Sequence, residues 1–305
     1  MTLSLPGQER VRRVYKLGDV DVEIFGSESG GYADVEVRLS AGAGAPTPSL
    51  PTAYIILIDT SKSMEQFEKL DHAKRAVLEL LESMGDDDLV AVYKFDDDVK
   101  AVIPLTTAAK ARGEAKKVEK IKVGSYTRLY EAVAKAMEDL RRGPGGLFRK
   151  GVSLEGYAKK IVVVTDGDPW PTYTEPRYYE ALGKTAFKYG ITISAIGIGD
   201  DYNEEVLYKL TSSSGGAWYH ISKTPDLSRV LAHELRRSKS IALARPVVEV
   251  QAEGAQIVSV RKIGATVAEL EPTPRVELED VVQGEVVSVV YRLKPTTPNY
   301  RVKVA

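Results

Sequence analysis

Asp59, Ser61 and Ser63 place one carboxylate and two hydroxyls at alternate positions, directly after the apolar run Tyr54-Ile55-Ile56-Leu57-Ile58. That spacing lets three oxygens converge where a strand turns into a helix, and hard oxygens suit a hard cation. A small divalent ion such as Mg²⁺ is content with few carboxylates, because it keeps several of its waters. Helix capping is the plain alternative for the two serines, since Ser and Asp commonly accept hydrogen bonds from the first free N–H groups of a helix. This stretch alone leaves both readings open.

Two further stretches add oxygens of the same kind. Gly124-Ser125-Tyr126-Thr127-Arg128-Leu129 is a turn that opens a helical pattern, with Leu129, Val133, Met137 and Leu140 on one face and the Thr127 hydroxyl at its mouth. The run from Lys160 to Val164 is a second apolar strand, and it ends in Thr165-Asp166-Gly167. Asp-x-Ser-x-Ser at 59 to 63, a Thr in a Gly loop, and Thr-Asp-Gly after a later strand together resemble the metal-ion-dependent adhesion site of von Willebrand factor type A domains. The resemblance covers residues 51 to 241. It implies a metal shell of Asp59, Ser61, Ser63, Thr127 and Asp166 around Mg²⁺, with Mn²⁺ or Ca²⁺ as alternatives. Many members have two glycines directly before the Thr, where this chain has Ser125-Tyr126.

Elements able to position these residues are legible on either side. Five successive apolar residues without alternation suit a parallel strand covered on both faces, and ligands bind at the carboxyl edge of such sheets. The expected fold is therefore α/β, a doubly wound and mostly parallel sheet. Phe67, Leu70, Ala73, Val77, Leu80, Leu81 and Met84 recur at helical spacing, and Gly85 ends the pattern. Strands are expected at Leu89 to Phe95 and Val99 to Leu105, joined by Asp96-Asp97-Asp98, a triplet that reads as a solvated turn rather than a second cation site. A polar helix is expected over 107 to 120, and further helices over 176 to 189, 203 to 210 and 225 to 240. Buried strands are expected over 191 to 198 and 217 to 221. The basic, Gly-rich stretch 141 to 151 reads as a surface loop rather than a phosphate or RNA contact. Gly197-Ile198-Gly199 is too little for a nucleotide fingerprint.

Both ends of the chain alternate instead, as in Val20-Asp21-Val22-Glu23-Ile24 and Val247-Val248-Glu249-Val250, which marks half-exposed antiparallel strands. Each end is too short to bury a core alone, so residues 1 to 50 and 242 to 305 are expected to form one β-sandwich. The domain at 51 to 241 would be inserted into it, beyond a Gly/Ala/Pro-rich linker at 41 to 51. Large intracellular and archaeal members of the family look similar in this respect.

Composition narrows the function. With 42 basic and 43 acidic residues the formal net charge is −1, so no global field recruits nucleic acid or an anionic membrane. Cysteine is absent, which excludes thiolate metal sites and fits a reducing compartment. No run approaches the ~20 apolar residues of a membrane span, and residues 1 to 10 lack the core of a signal peptide. A cytoplasmic protein is the expectation, with a charged-residue balance that leans towards a thermophile.

The leading reading is a metal-dependent protein-binding module in an intracellular regulatory or assembly complex. A partner's Asp or Glu would complete the ion's shell, flanked by Tyr126, Trp170 and Tyr173 as anchors or, equally, as packing beneath the loops. The rival is a metal-assisted phosphatase or other hydrolase. His72, His220 and His233 lack ligand spacing, however, and no G-x-S-x-G elbow is present. A third reading is a scaffold regulated at Thr224-Pro225, Thr273-Pro274 or Thr297-Pro298 and bound by a phosphothreonine-reading protein.

Overall fold

Residues 2–3, 10–42, 50–145, 153–222, 224–264 and 267–305 are described by the structure, a computed structural model. The chain divides into two compact units, Leu50–Lys239 and a second made of Met1–Ser49 with Ser240–Ala305. The basic stretch 146 to 152 and most of the linker at 43 to 49 lie outside the described residues.

The amino-terminal strands are β1 (Thr2–Leu3), β2 (Val11–Leu17), β3 (Val20–Ser29) and β4 (Tyr32–Ala41). In the Leu50–Lys239 unit the order is β5 (Thr52–Asp59), α1 (Lys69–Ser83), β6 (Leu89–Phe95), β7 (Val99–Thr107), α2 (Ala108–Gly113), α3 (Lys116–Glu119) and α4 (Leu129–Arg142). It continues through β8 (Ala158–Thr165), α5 (Pro176–Lys188), β9 (Ile191–Ile198), α6 (Glu204–Ser214), β10 (Trp218–Ile221) and α7 (Leu227–Lys239). The strands form one sheet in the order β10-β9-β8-β5-β6-β7. Its neighbours run parallel except for the edge strand β7, which returns antiparallel from β6.

Every residue of β5 is buried, and its side chains enter two cores by turns. Tyr54, Ile56 and Ile58 pack with residues of α1 and α7, while Ala53, Ile55 and Leu57 pack with residues of α4, α5 and α6. An unbroken apolar run is what a strand needs when both faces meet helices, so the doubly wound arrangement follows from this stretch.

Returning strands complete the second unit: β11 (Ile241–Leu243), β12 (Val247–Glu253), β13 (Ala255–Ile263), β14 (Val267–Leu270), β15 (Arg275–Glu277), β16 (Val281–Val282), β17 (Val286–Pro295) and β18 (Arg301–Val304). Sheets β14-β13-β17-β4-β3-β2 and β1-β18-β12-β15 are antiparallel and share one hydrophobic core. In the first sheet β4 pairs with β17 from Ala33 opposite Leu293 to Ser40 opposite Val286, so the two chain ends are adjacent strands.

Three expectations need correction. Phe67 is not on the inner face of a helix: α1 begins at Lys69, and Phe67 lies in a preceding 3₁₀ segment at φ 52°, 82% exposed. The left-handed backbone at Phe67 and Glu68 breaks the helical register that the sequence pattern assumed. Residues 107 to 120 form two short helices, α2 and α3, instead of one. The helix at 203 to 210 runs on to Ser214, where Gly215 ends it in the left-handed region, and the Asn203 side chain caps its start.

Candidate metal centre

Strand β5 carries Asp59 to the carboxyl edge of the sheet, and β8 carries Thr165 and Asp166 to the same edge one strand away. Asp59 is buried. One of its oxygens accepts from the Ser61 backbone N–H at 2.8 Å, which bends the chain out of the strand, and the other accepts from the Thr165 hydroxyl. Burial pushes the Asp59 carboxyl up to about 7, against the lowering by these hydrogen bonds, and the nearby Asp166 adds to the rise.

The serines do not cap. Ser61 precedes the 3₁₀ segment without a side-chain capping bond, and Glu68, at the cap of α1, makes none either. Instead Ser61 Oγ lies 3.1 Å from Ser63 Oγ, and the Ser63 hydroxyl donates to Asp166 Oδ1 at 2.7 Å. A Cβ built on Gly167 would sit 3.4 Å from Thr127 Oγ1, 3.6 Å from Ser63 Oγ and 4.0 Å from Ser61 Oγ. The three hydroxyls therefore surround one small space that a glycine leaves open. Thr127 is held there by a two-way backbone pair with Trp170, N to O at 3.2 and 3.1 Å.

These residues fit a divalent oxygen-seeking ion. Three hydroxyls face a common space, the Ser63 hydroxyl bonds the Asp166 carboxylate, and Asp59 beside them is a buried acid whose ionised form a cation would favour. Among the described residues no three acidic, imidazole or thiol side chains gather as a metal cluster, here or elsewhere, so the oxygens at this edge are two carboxylates supplemented by hydroxyls. His220 instead meets the Tyr202 hydroxyl at 2.8 Å, and His233 packs edge-on against Tyr219.

Three positioning residues escaped sequence reasoning. Asp96 is no solvated turn residue: it is buried, accepts from the Thr60 hydroxyl at 2.7 Å and from Lys94, and lies where a side chain on Gly124 would fall, 2.4 Å from a built Cβ. Burial alone pushes the Asp96 carboxyl up, but the bonds from Lys94 and Thr60 outweigh it and hold the group below its ordinary value. Gly124 N–H in turn donates to the Thr60 carbonyl at 2.6 Å, and this bond ties the first loop to the third. Thr165 orients Asp59. Lys69, at the start of α1, is buried with its Nζ 2.7 Å from Asp166 Oδ2. Thr165 stood in the Thr-Asp-Gly motif without a role of its own, the only signal for Asp96 was its place at a strand end, and Lys69 gave none.

The aromatic residues stand outward. Tyr126 is 43%, Trp170 59% and Tyr173 42% exposed, and Tyr173 stacks on Tyr130 with ring centroids 4.0 Å apart. The three Thr-Pro threonines occupy turns. Thr224 opens a 3₁₀ turn, Thr273 bonds to the backbone of Arg275, and the Thr297 N–H donates to Gly254 carbonyl.

The sequence profile of the von Willebrand factor type A domain matches residues 55–233, more than half of the chain. The chain belongs to the von Willebrand factor type A family. Members of this family are metal-dependent protein-interaction modules. The chain is 22% identical over 251 residues to the protein YfbK of Escherichia coli, covering 80% of this chain and 42% of that one. It is 25% identical over 214 residues to the mouse inter-alpha-trypsin inhibitor heavy chain 4, covering 68% of this chain and 22% of that one. It thus spans less than half the length of these relatives. A von Willebrand factor type A protein from Catenulispora acidiphila superposes with TM-score 0.71 at 17% identity, over 99% of this chain and 71% of that one. The ArnB paralog VWA2 from Sulfolobus acidocaldarius gives TM-score 0.64 at 22% identity, over 92% of this chain and 68% of that one. The type A fold is common to both, and the two superpositions take in the strands of both chain ends as well. No helix among the described residues is long and apolar enough to cross a membrane.

Proposed function

We propose that Asp59, Ser61, Ser63, Thr127 and Asp166 form a metal-ion-dependent adhesion site for Mg²⁺, or for Mn²⁺ or Ca²⁺, and that its face binds an acidic residue of a partner protein. The observation that carries this reading is the ring of three hydroxyls around Gly167, none of them engaged in capping, beside a buried acid. A bound ion supplies an electrophilic position for an incoming carboxylate. This chain's residues would hold it: Asp59 and Asp166 would bring charge, the three hydroxyls would bring neutral oxygens, and the Thr127–Trp170 backbone pair fixes the third loop. Around that centre Phe67, Tyr126, Trp170 and Tyr173 offer outward-facing apolar surface, which is the usual make-up of an interface core.

The same face serves binding better than hydrolysis. Two-metal hydrolysis draws on more carboxylates and on histidines, and the three histidines here stand apart. The test is capture of partners from host lysate by the full chain in Mg²⁺ and in chelator, alongside Asp59→Ala and an assay for phosphoester turnover. A partner retained only with metal, and lost in Asp59→Ala, is expected. Equal capture in chelator, or metal-dependent turnover abolished by Asp59→Ala, would overturn the reading.

A further inference from the structure

Asp166 has both oxygens engaged within the protein. Oδ1 accepts from Ser63, while Oδ2 pairs with the Lys69 ammonium at 2.7 Å, and neither partner of that ion pair is open to solvent. The ammonium is walled on its far side by the turn after β9, where a Cβ on Gly199 would lie 3.5 Å from Nζ. Lysine is almost never buried unless it is paired. A surface role therefore does not account for it, and α1 alone does not need it, since the helix packs through Leu70, Ala73, Val77 and Leu80.

We infer that Lys69 is an internal counter-charge that sets the electrostatics of the metal site and makes acidic partners its preferred ligands. Two carboxylates and one ammonium give the protein side of the site a net charge of −1, by simple addition over Asp59, Asp166 and Lys69. A divalent ion then leaves a net charge of +1, which attracts a carboxylate from outside. Without the lysine the same ion would neutralise the site and leave little for a partner to recognise. Lys69 thus weakens the bare ion and strengthens the acidic ligand, so ion and partner favour one another. The inference rests on the metal reading above and adds to it the reason for partner choice.

The test compares the full-length wild-type chain with Lys69→Met and Lys69→Arg. Mn²⁺ binding is measured by electron paramagnetic resonance, and acetate is titrated as the carboxylate probe on Mn²⁺-loaded protein. Lys69→Met is expected to bind Mn²⁺ at least about tenfold more tightly, because a like charge beside the ion has gone. It should bind acetate more weakly, and Lys69→Arg should stay within about threefold of wild type on both counts. Unchanged or weaker Mn²⁺ binding by a folded Lys69→Met overturns the inference while leaving the metal site standing. If Lys69→Met folds only with Mn²⁺ present, the ion replaces the ammonium and the inference holds. If it fails to fold even then, the lysine is structural and the inference falls. Absence of Mn²⁺ binding in wild type and variants alike removes the metal reading and this inference together.

Discussion

Asp59→Asn should make the metal-free protein more stable and the metal-loaded protein no better than before. In the fold the Asp59 carboxyl is raised from 3.8 to about 7 by burial, and the bonds it accepts, from Ser61 N–H and the Thr165 hydroxyl, come from neutral donors. The rise of about three pH units is worth at most about 4 kcal/mol at about 1.4 kcal/mol each. The sign follows from proton uptake. Below about pH 4 the acid is protonated whether the chain is folded or not, so Asp59 is neutral with respect to stability there. Between about pH 4 and pH 7 the folded chain holds a proton that the unfolded chain has lost, so stability falls as pH rises, and above about pH 7 the loss is complete. Asparagine keeps the acceptor for Ser61 N–H and can donate to the Thr165 hydroxyl, so the variant removes charge with little change of shape. Both tryptophans, Trp170 and Trp218, lie in the Leu50–Lys239 unit, so urea unfolding followed by tryptophan fluorescence reports that unit alone. In EDTA at about pH 8 the variant should gain a few kcal/mol, and the gain should shrink towards zero near pH 4. Saturating Mn²⁺ should raise wild type and leave the variant where it was. A variant that is less stable than wild type in EDTA at about pH 8, or a gain indifferent to pH, would refute the argument that an uncompensated charge sits there.

Two further substitutions probe the loops around the site. Gly124→Ala would place a Cβ 2.4 Å from the Asp96 carboxylate; it should destabilise the unit by about 1–3 kcal/mol and weaken Mn²⁺ binding in parallel, as read by urea unfolding and Mn²⁺ titration. Phe67→Gly should do the reverse. Phe67 is 82% exposed at φ 52°, so removing it should raise stability by up to about 1 kcal/mol while lowering metal-dependent partner capture. A loss of stability would show that the ring packs.

Much of this architecture could be read in advance because its signals are local. Tyr54–Ile58 and Ile161–Val164 announce buried parallel strands by the absence of alternation, and the acids that follow them are fixed to the carboxyl edge by chain direction alone. The alternation at both ends specifies antiparallel strands, and β4 beside β17 shows that they do belong to one sheet. What stayed hidden depends on contacts made far along the chain. Lys69 reads as one more charge on a helix, and only the path of α1 past Asp166, 97 residues later, buries it. Asp96 reads as turn chemistry, and Gly124, which makes room for it, reads as part of a loop. The Phe67 error has the same origin: a left-handed pair of residues resets the helical phase, and no residue type at 67 or 68 marks it.

A second buried acid supplies the control for the first, and its pH dependence should have the opposite sign. Glu234 on α7 is fully buried, accepts from the Ser194 hydroxyl at 2.7 Å and from the Tyr219 hydroxyl, and lies 3.8 Å from the buried Lys160 ammonium. Burial alone would raise its carboxyl, but Lys160 and the two hydroxyls outweigh that and hold it below the ordinary glutamate value. A lowered acid stabilises the fold above its unfolded value of 4.5, and that contribution is lost as pH falls through the folded value. Glu234→Gln should therefore weaken the unit at neutral pH by about 1–3 kcal/mol, and the difference should close on acidification. Asp59→Asn should diverge from wild type over the rise from about pH 4 to 7, in the stabilising direction. The same unit thus holds one acid whose surroundings keep its charge and another whose surroundings leave that charge poorly met. Packing accounts for Glu234, which ties α7 to β9 and β10. At Asp59 the two accepted bonds leave the carboxyl raised to about 7, as expected of an acid that a cation at the edge of β5 would complete. Parallel pH profiles for the two variants would place Asp59 in the structural class, and with that the case for an ion at this edge would lose its energetic ground.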